Sequence, residues 1–121
     1  MATIQVGDEA VTVHLRGWER WAVRRATVTV PHGALSEVSV TDDWVSESFG
    51  LRHGGLVVSG LIKVGIWIGL DGSRRLLVLR RGVPTLRLGC DPSGTGGFNE
   101  LLVSAPGARA AALRLAELAR R

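Results

Sequence analysis

Apolar residues recur at every second position in several short runs along the chain, and glycine, proline or aspartate bounds most of these runs. In the segment 10–16, Val11, Val13 and Leu15 alternate with polar residues, which is typical of a β-strand with one buried face. Seven runs that alternate or are largely apolar are predicted to be strands: 10–16, 26–31, 35–42, 62–70, 74–80, 85–90 and 98–104. The turns between them predict an antiparallel meander over residues 10–104.

The spacing of apolar residues changes in the last part of the sequence. From about residue 106 to about residue 120, alanine and leucine recur every three or four positions, and this spacing predicts an amphipathic α-helix. Ser104 is the expected N-cap of this helix. Leu115 and Leu118 lie on its apolar face, which we expect to pack onto the open end of the strand layers.

Two glycine-rich stretches favour different interpretations. The polar stretch 42–55 shows no strand pattern, so we expect one long connection with a helical turn near Trp44. In the strand 62–70, by contrast, Gly65 and Gly69 fall on one face on either side of Trp67. Glycines inside a strand favour a sharp bend, whereas a phosphate-binding loop needs them between a strand and a helix. We therefore predict that both glycines serve the architecture.

The element order and five segments together resemble uncharacterised bacterial pleckstrin-homology-like (PH-like) domains. These segments are VTVP (28–31), SEVSV (36–40), IKVGIW (62–67), RLLVLRRGVPTLRL (75–88) and LLVSAPGARAAALRL (101–115). The resemblance implies one PH-like domain over residues 1–121. It would be mainly β, with seven antiparallel strands in a bent barrel or sandwich and one C-terminal amphipathic helix that plugs an open end.

For function, the resemblance implies an interaction or assembly module and supplies no catalytic residues. Some bacterial PH-like domains form cyclic oligomers, so a homo-oligomer is one expectation. Members that bind inositol phospholipids carry a K-x(n)-K/R-x-R pattern across the first two strands. Arg16 and Arg24 stand near those positions here, but RRAT (24–27) replaces the closing R-x-R. This departure argues against phosphoinositide binding.

Length, charge and cysteine content narrow the class of protein further. The 121 residues suffice for one core, and a net charge of +4 favours acidic partners. A single cysteine, Cys90, excludes an intrachain disulfide, and residues 1–15 lack the pattern of a secretory signal. The longest apolar window, 56–70, contains Lys63 and is too short to span a bilayer. We therefore expect a cytoplasmic protein without a transmembrane segment.

Candidate catalytic and metal-binding groups do not form a recognisable pattern. The residues that could in principle bind a metal are His14, His32, His53, Asp42 and Asp43, but their spacing matches no metal motif. Cys90 precedes the glycine-rich stretch 91–97, which could form an oxyanion hole, yet no base accompanies it. We therefore expect no enzymatic activity, no metal and no cofactor.

The segment RGWERWAVRR (16–25) interleaves tryptophan with arginine. As a helical turn, it would place Arg20 and Arg24 on one side and Trp18 and Trp21 on the other. Such a surface suits a membrane interface or stacking on single-stranded nucleic acid. Alternatively, both tryptophans plug the mouth of the barrel and the arginines are solvated at its rim.

In a meander, alternate connections return to the same end of the sheet. This rule predicts a basic rim composed of Arg16, Arg24, Arg25, Arg52, Arg80 and Arg81, opposite the helix. We expect the rim to recognise an acidic protein segment or an anionic headgroup of unknown identity. A small nucleic-acid-binding barrel that uses the arginine and tryptophan surface is the alternative, and a rim that binds nothing is a third outcome.

Overall fold

A computed structural model describes residues 2–42, 44, 51–58 and 61–119, with the backbone alone for 51–54 and 56. The fold is mainly β, as predicted. Its strands are β1 (Thr3–Val6), β2 (Ala10–His14), β3 (Thr27–Pro31), β4 (Leu35–Thr41), β5 (Leu51–Val58), β6 (Ile62–Ile68), β7 (Arg74–Arg80), β8 (Thr85–Cys90) and β9 (Glu100–Ser104). Its helices are α1 (Trp18–Val23), α2 (Pro92–Thr95) and α3 (Ala108–Ala119).

The predicted count of seven strands is wrong, because the described residues contain nine. The two additional strands are β1 and β5, and β5 occupies part of the stretch 42–55 that was expected to be a connection. Trp44 itself has no regular secondary structure, and the residues on either side of it lie outside the described part of the chain. Polar residues and glycines concealed β5, because they interrupt the alternation that marks a half-buried strand.

The strands form two separate sheets and do not close into a barrel. A small sheet has the order β1-β2-β3, and a large sheet has the order β4-β8-β9-β7-β6-β5. The predicted hairpin between β7 and β8 is wrong, because β9 lies between them, parallel to β7 and antiparallel to β8. Strand β7 buries leucine and valine on both faces, which suits the interior of a sheet whichever strand is the neighbour, whereas β8 has one apolar face and carries Thr85 and Arg87 on the other.

The main core lies between the two sheets and is completed by α3. It joins Val11 and Val30 of the small sheet to Leu76 and Leu88 of the large sheet and to Leu115 of α3. The predicted C-terminal helix is confirmed, but it does not plug a barrel. It contacts β1 on one sheet and β4 and β8 on the other, so it closes one side of a two-sheet sandwich.

The expected N-cap of α3 is wrong. The helix begins at Ala108, whereas Ser104 belongs to β9. The Ser104 hydroxyl lies 2.7 Å from the hydroxyl of Thr85 and accepts a hydrogen bond from the backbone N–H of Arg80. Ser104 therefore joins three strands of the large sheet rather than starting a helix.

A second, smaller cluster covers the opposite face of the large sheet. It consists of Trp44, Trp67, Leu77, Leu79 and Leu102. The two predicted faces of β6 are both confirmed, because Val64 belongs to the main core and Trp67 to this cluster. Tryptophan thus supplies core volume here, as its large apolar area allows.

The glycines of β6 have distinct roles. Gly65 lies within the strand opposite Gly55, next to a register shift in β5 that bends the β5–β6 pair. A Cβ atom on Gly55 would lie 2.6 Å from the Cα atom of Gly65, so only glycine fits at this crossing. Gly69, which was expected inside the strand, follows its end, and its N–H donates to the carbonyl of Ser73 in a hairpin turn.

No helix among the described residues is long and apolar enough to cross a membrane.

Candidate functional site: a basic surface around helix α1

Helix α1 lies in the connection between β2 and β3, and its inner side anchors it to the fold. Val23 packs in the main core, and the carboxylate of Glu19 is fully buried. Glu19 Oε2 accepts hydrogen bonds from Arg80 Nη2 at 3.0 Å and Nε at 3.4 Å. The Arg80 guanidinium also lies over the ring of Trp18, with Cζ 5.3 Å from the ring centre. A buried ion pair and a cation–π contact therefore fix the start of α1 against β7.

The outer side of α1 carries positive charge around an exposed indole. Trp21 is 82% exposed, and it lines an open depression of about 610 Å³ together with Arg20, Arg24 and Arg25. None of these three arginines makes an ion pair with a described residue. We call these four residues the α1 surface. It combines unpaired charge with an aromatic ring, the side chains most enriched where proteins bind partners.

Arg24 adopts a backbone conformation that is rare for its residue type. It caps the C-terminal end of α1 with φ 63° and ψ 30°, in the left-handed region, and its N–H donates to the Arg20 carbonyl. Glycine usually occupies this position, because a side chain there costs about 1 kcal/mol. Arg24 therefore occupies a position where the backbone conformation favours glycine. Strained residues of this kind are common at functional sites.

Arg25 of the α1 surface shares an aromatic partner with a further arginine, Arg74. The Arg25 guanidinium lies 5.0 Å, and that of Arg74 5.7 Å, from the centre of the buried Phe98 ring. Neither arginine pairs with a carboxylate of the described residues, and the Nε atom of Arg74 is buried without a hydrogen-bond partner there. Two positive charges on one ring repel each other, and a bound anion would reduce that repulsion.

The predicted basic rim is divided between the two ends of β7. Its ends, Arg74 and Arg80, are about 20 Å apart along an extended strand. Arg25 shares Phe98 with Arg74 at the first end, whereas Arg80 stacks on Trp18 at the second. These contacts do not bring Arg25 and Arg80 together, and the basic rim as a binding surface stays a prediction.

The other predicted residues divide in the same way. The backbone of Arg52 lies in β5 opposite Trp67, which is itself opposite Arg75, and the Arg52 side chain is outside the described residues. Arg16 and Arg81 are exposed near Trp18 and Arg80, respectively. The contacts associate Arg25 and the backbone of Arg52 with the Arg74 end of β7, and Arg80 with its other end.

Trp21 contradicts the interpretation in which both tryptophans plug a barrel mouth. Its indole is exposed, and Trp18 is only partly covered, at 39% exposed. The sequence interpretation missed Glu19, Arg74 and Phe98. A lone carboxylate between two tryptophans was the one available signal for Glu19, whereas residues 74 and 98 are too far from α1 in sequence to be associated with it.

Cys90 is unsuited to nucleophilic catalysis. Burial, with a smaller contribution from the charge of Glu100, raises the pKa of its thiol to about 11, so the thiol stays protonated at neutral pH. Its Sγ atom donates to the Leu88 carbonyl at 3.4 Å. The following stretch forms the short helix α2, capped by Asp91, whose pKa is held below its usual range by hydrogen bonds from Ser93.

The candidate metal ligands are dispersed. His14 lies 3.0 Å from the Gln5 side-chain oxygen, His32 hydrogen-bonds the Gly7 carbonyl, and Asp42 pairs with Arg109 at 2.7 Å. The described part of the chain contains no cluster of three or more groups that could hold a metal. The His53 side chain and Asp43 lie outside that part.

Comparisons with protein-family models, curated proteins and solved structures gave no match to this chain.

Proposed function

We propose that this chain is a non-catalytic interaction module that recognises an acidic protein segment through the α1 surface. One observation carries the proposal: three exposed arginines without described carboxylate partners surround a Trp21 side chain that is 82% exposed. An acidic segment would supply the missing carboxylates and cover the indole. The left-handed backbone of Arg24 supports this assignment, because arginine occupies a position where glycine would be less strained.

The PH-like relationship and the cytoplasmic location belong to the same proposal. Antiparallel strands followed by a C-terminal helix agree with a PH-like domain, while the parallel pairing of β7 with β9 departs from a simple meander. A lone thiol buried in the core agrees with a reducing compartment. An acidic protein segment is preferred to an anionic headgroup, because the phosphoinositide pattern is incomplete at residues 24–27.

Single-stranded nucleic acid is a second candidate, favoured by the exposed indole of Trp21. Bases stack on aromatic side chains, and arginine contributes charge and additional stacking. The two candidates differ in their response to salt, because binding to a single strand weakens log-linearly with a slope of about −0.7 per phosphate contacted.

The test compares binding of a fluorescent oligoglutamate peptide, oligothymidylate and vesicles containing phosphatidylserine. We expect the peptide to bind, and we expect Arg24→Gln to weaken binding about fivefold, the equivalent of about 1 kcal/mol. Arg81→Gln is the matched control, because it removes the same charge from an exposed site outside the α1 surface, and it should change affinity less than about twofold.

Equal weakening by Arg24→Gln and Arg81→Gln would show that net charge alone attracts the peptide and would contradict the proposal. Preferential binding of oligothymidylate with a steep salt dependence would favour the second candidate. Binding to vesicles alone would replace the acidic segment by a lipid headgroup.

A further inference from the structure

A groove lies on the other side of the molecule, between the C-terminal half of α3 and the start of β4. Its volume is about 730 Å³, and its apolar lining comes from Leu35, Val38, Leu115 and Leu118. A groove of this size can accept a large side chain from a partner.

The edge of this groove is acidic, in contrast to the rest of this basic chain. Asp8 and Glu37 both line it, and neither makes an ion pair with a described residue. His32 also lines it, with its ring hydrogen-bonded to the Gly7 carbonyl at 2.7 Å. The groove therefore offers apolar volume together with two carboxylates that lack a partner within the described structure.

These properties are complementary to those of the α1 surface. The α1 surface presents an exposed indole beside arginines, and the groove presents an apolar recess beside carboxylates. Buried aromatic anchors surrounded by complementary charges are the usual energetic centres of protein interfaces. The chain thus carries one surface with an exposed aromatic ring and positive charge, and another with an apolar recess and negative charge.

One molecule cannot join its own two surfaces. Helix α1 contacts β5 and β6, whereas the groove adjoins β4, and β4 and β5 are the opposite edges of the large sheet. Four strand spacings separate β4 from β6, which amounts to roughly 19 Å. A contact between the two surfaces must therefore be made between two copies of the chain.

We propose that a second copy of this chain is the partner of the α1 surface. Trp21 of one copy enters the groove of the next, and Arg20 and Arg24 face Asp8 and Glu37. Because the two surfaces differ, the contact is head-to-tail, and each copy retains one free surface until a ring closes or a filament grows. This inference rests on the proposed function of the α1 surface and names its partner.

Two double variants test the inference, each lacking one half of the interface. The surface variant is Trp21→Ala/Arg24→Gln, and the groove variant is Glu37→Gln/Leu118→Gln. A control variant, Leu113→Gln/Arg81→Gln, changes an exposed leucine of α3 and an exposed arginine outside both halves. Circular dichroism and denaturant unfolding first establish that each variant is folded.

Sedimentation velocity over a range of concentrations then measures assembly. We expect the wild type and the control variant to form species larger than a dimer, and each test variant alone to dissociate at concentrations at least about tenfold higher than the wild type. A mixture of the two test variants should form a one-to-one dimer and nothing larger. In that dimer, the groove variant supplies its α1 surface and the surface variant supplies its groove.

A wild type that stays monomeric, an assembly insensitive to both test variants, or a mixture that forms no dimer would each overturn the inference. The proposed function is separable from it, because a monomeric wild type that still binds oligoglutamate in an Arg24-dependent manner leaves the α1 surface with a different acidic partner. Loss of both self-association and peptide binding would reject the two proposals together.

Discussion

Helices α1 and α3 adjoin opposite edges of the large sheet and differ in what they bury. Helix α3 places Ala108, Ala111 and Leu115 in the main core, and none of its described residues has a left-handed backbone. Helix α1 buries a carboxylate, Glu19, and leaves Trp21 in solvent.

The comparison separates residues that serve stability from residues that do not. Glu19 has one oxygen without a hydrogen-bond partner in the described structure, and Arg24 holds a left-handed backbone. Each of these features costs free energy that an apolar residue or a glycine would save. The ion pair with Arg80 offsets part of the cost at Glu19 by anchoring α1, whereas Arg24 makes no ion pair with a described residue. A strained residue without such a contact is typical of a functional surface, which supports assigning recognition to the outer side of α1.

The largest expected difference between the two helices is in the free energy of unfolding lost when a large apolar side chain is removed. Leu115→Ala should lower the free energy of unfolding by about 3 kcal/mol, because it leaves a cavity between α3 and the sheets. Trp21→Ala should change that free energy by less than about 0.5 kcal/mol, because the indole is already exposed. Urea unfolding followed by circular dichroism measures both. If the two variants were equally destabilised, the comparison would fail.

The core beneath α3 should also respond to pH through Cys90. Its pKa is raised to about 11 from an ordinary 9.0, so the buried thiol contributes stability that is fully present below about pH 9. As pH rises further, the Cys90 thiol loses its proton in the unfolded chain before it does so in the folded chain. Its contribution to the free energy of unfolding is therefore lost by about pH 11. The expected loss is about 2–3 kcal/mol.

Urea unfolding across this pH range provides the measurement, with Cys90→Ala as the control. In Cys90→Ala, the free energy of unfolding should no longer decline between about pH 9 and pH 11. A decline of the same size in Cys90→Ala would assign it to other groups. Because Arg24 and Trp21 lie outside this core, variants at those positions should keep the wild-type decline.

Substitution of an arginine by glycine should cause the smallest change in the free energy of unfolding, and the change should have opposite signs in the two helices. Arg24→Gly should raise the free energy of unfolding by up to about 1 kcal/mol, because glycine adopts the left-handed conformation without strain. Arg114→Gly, the same substitution in the middle of α3, should lower it by about 1 kcal/mol. Thermal unfolding of both variants checks the signs. Destabilisation by Arg24→Gly would mean that the arginine serves the fold.

Local patterns in the sequence predicted the local structure well. Alternation located most strands, and the change to a period of three or four located α3. Gly65 was placed correctly within a bent strand, because a glycine inside an apolar run usually marks a bulge or a bend. The strand β5 was missed, since its own Gly55 permits the bulge and also breaks the pattern.

Tertiary arrangement was the part that the sequence could not supply. Alternation shows which face of a strand is buried but not which strand lies beside it, and β7 and β8 are compatible with several neighbours. The same limit applied to the site. The segment 16–25 was recognised as arginine- and tryptophan-rich, but the contacts of Arg25 with Phe98 and of Glu19 with Arg80 join positions more than sixty residues apart.

The position of β9 has a consequence for how the molecule is built. The strand follows β7 and β8 in the chain, yet it lies between them and completes the hydrogen bonding of both. Until β9 has paired, β7 and β8 therefore have facing edges without partners, and these edges can pair with other chains. The large sheet is completed at its centre rather than at its edge, so a folding chain exposes two aggregation-prone strand edges for as long as residues 100–104 have not joined the sheet.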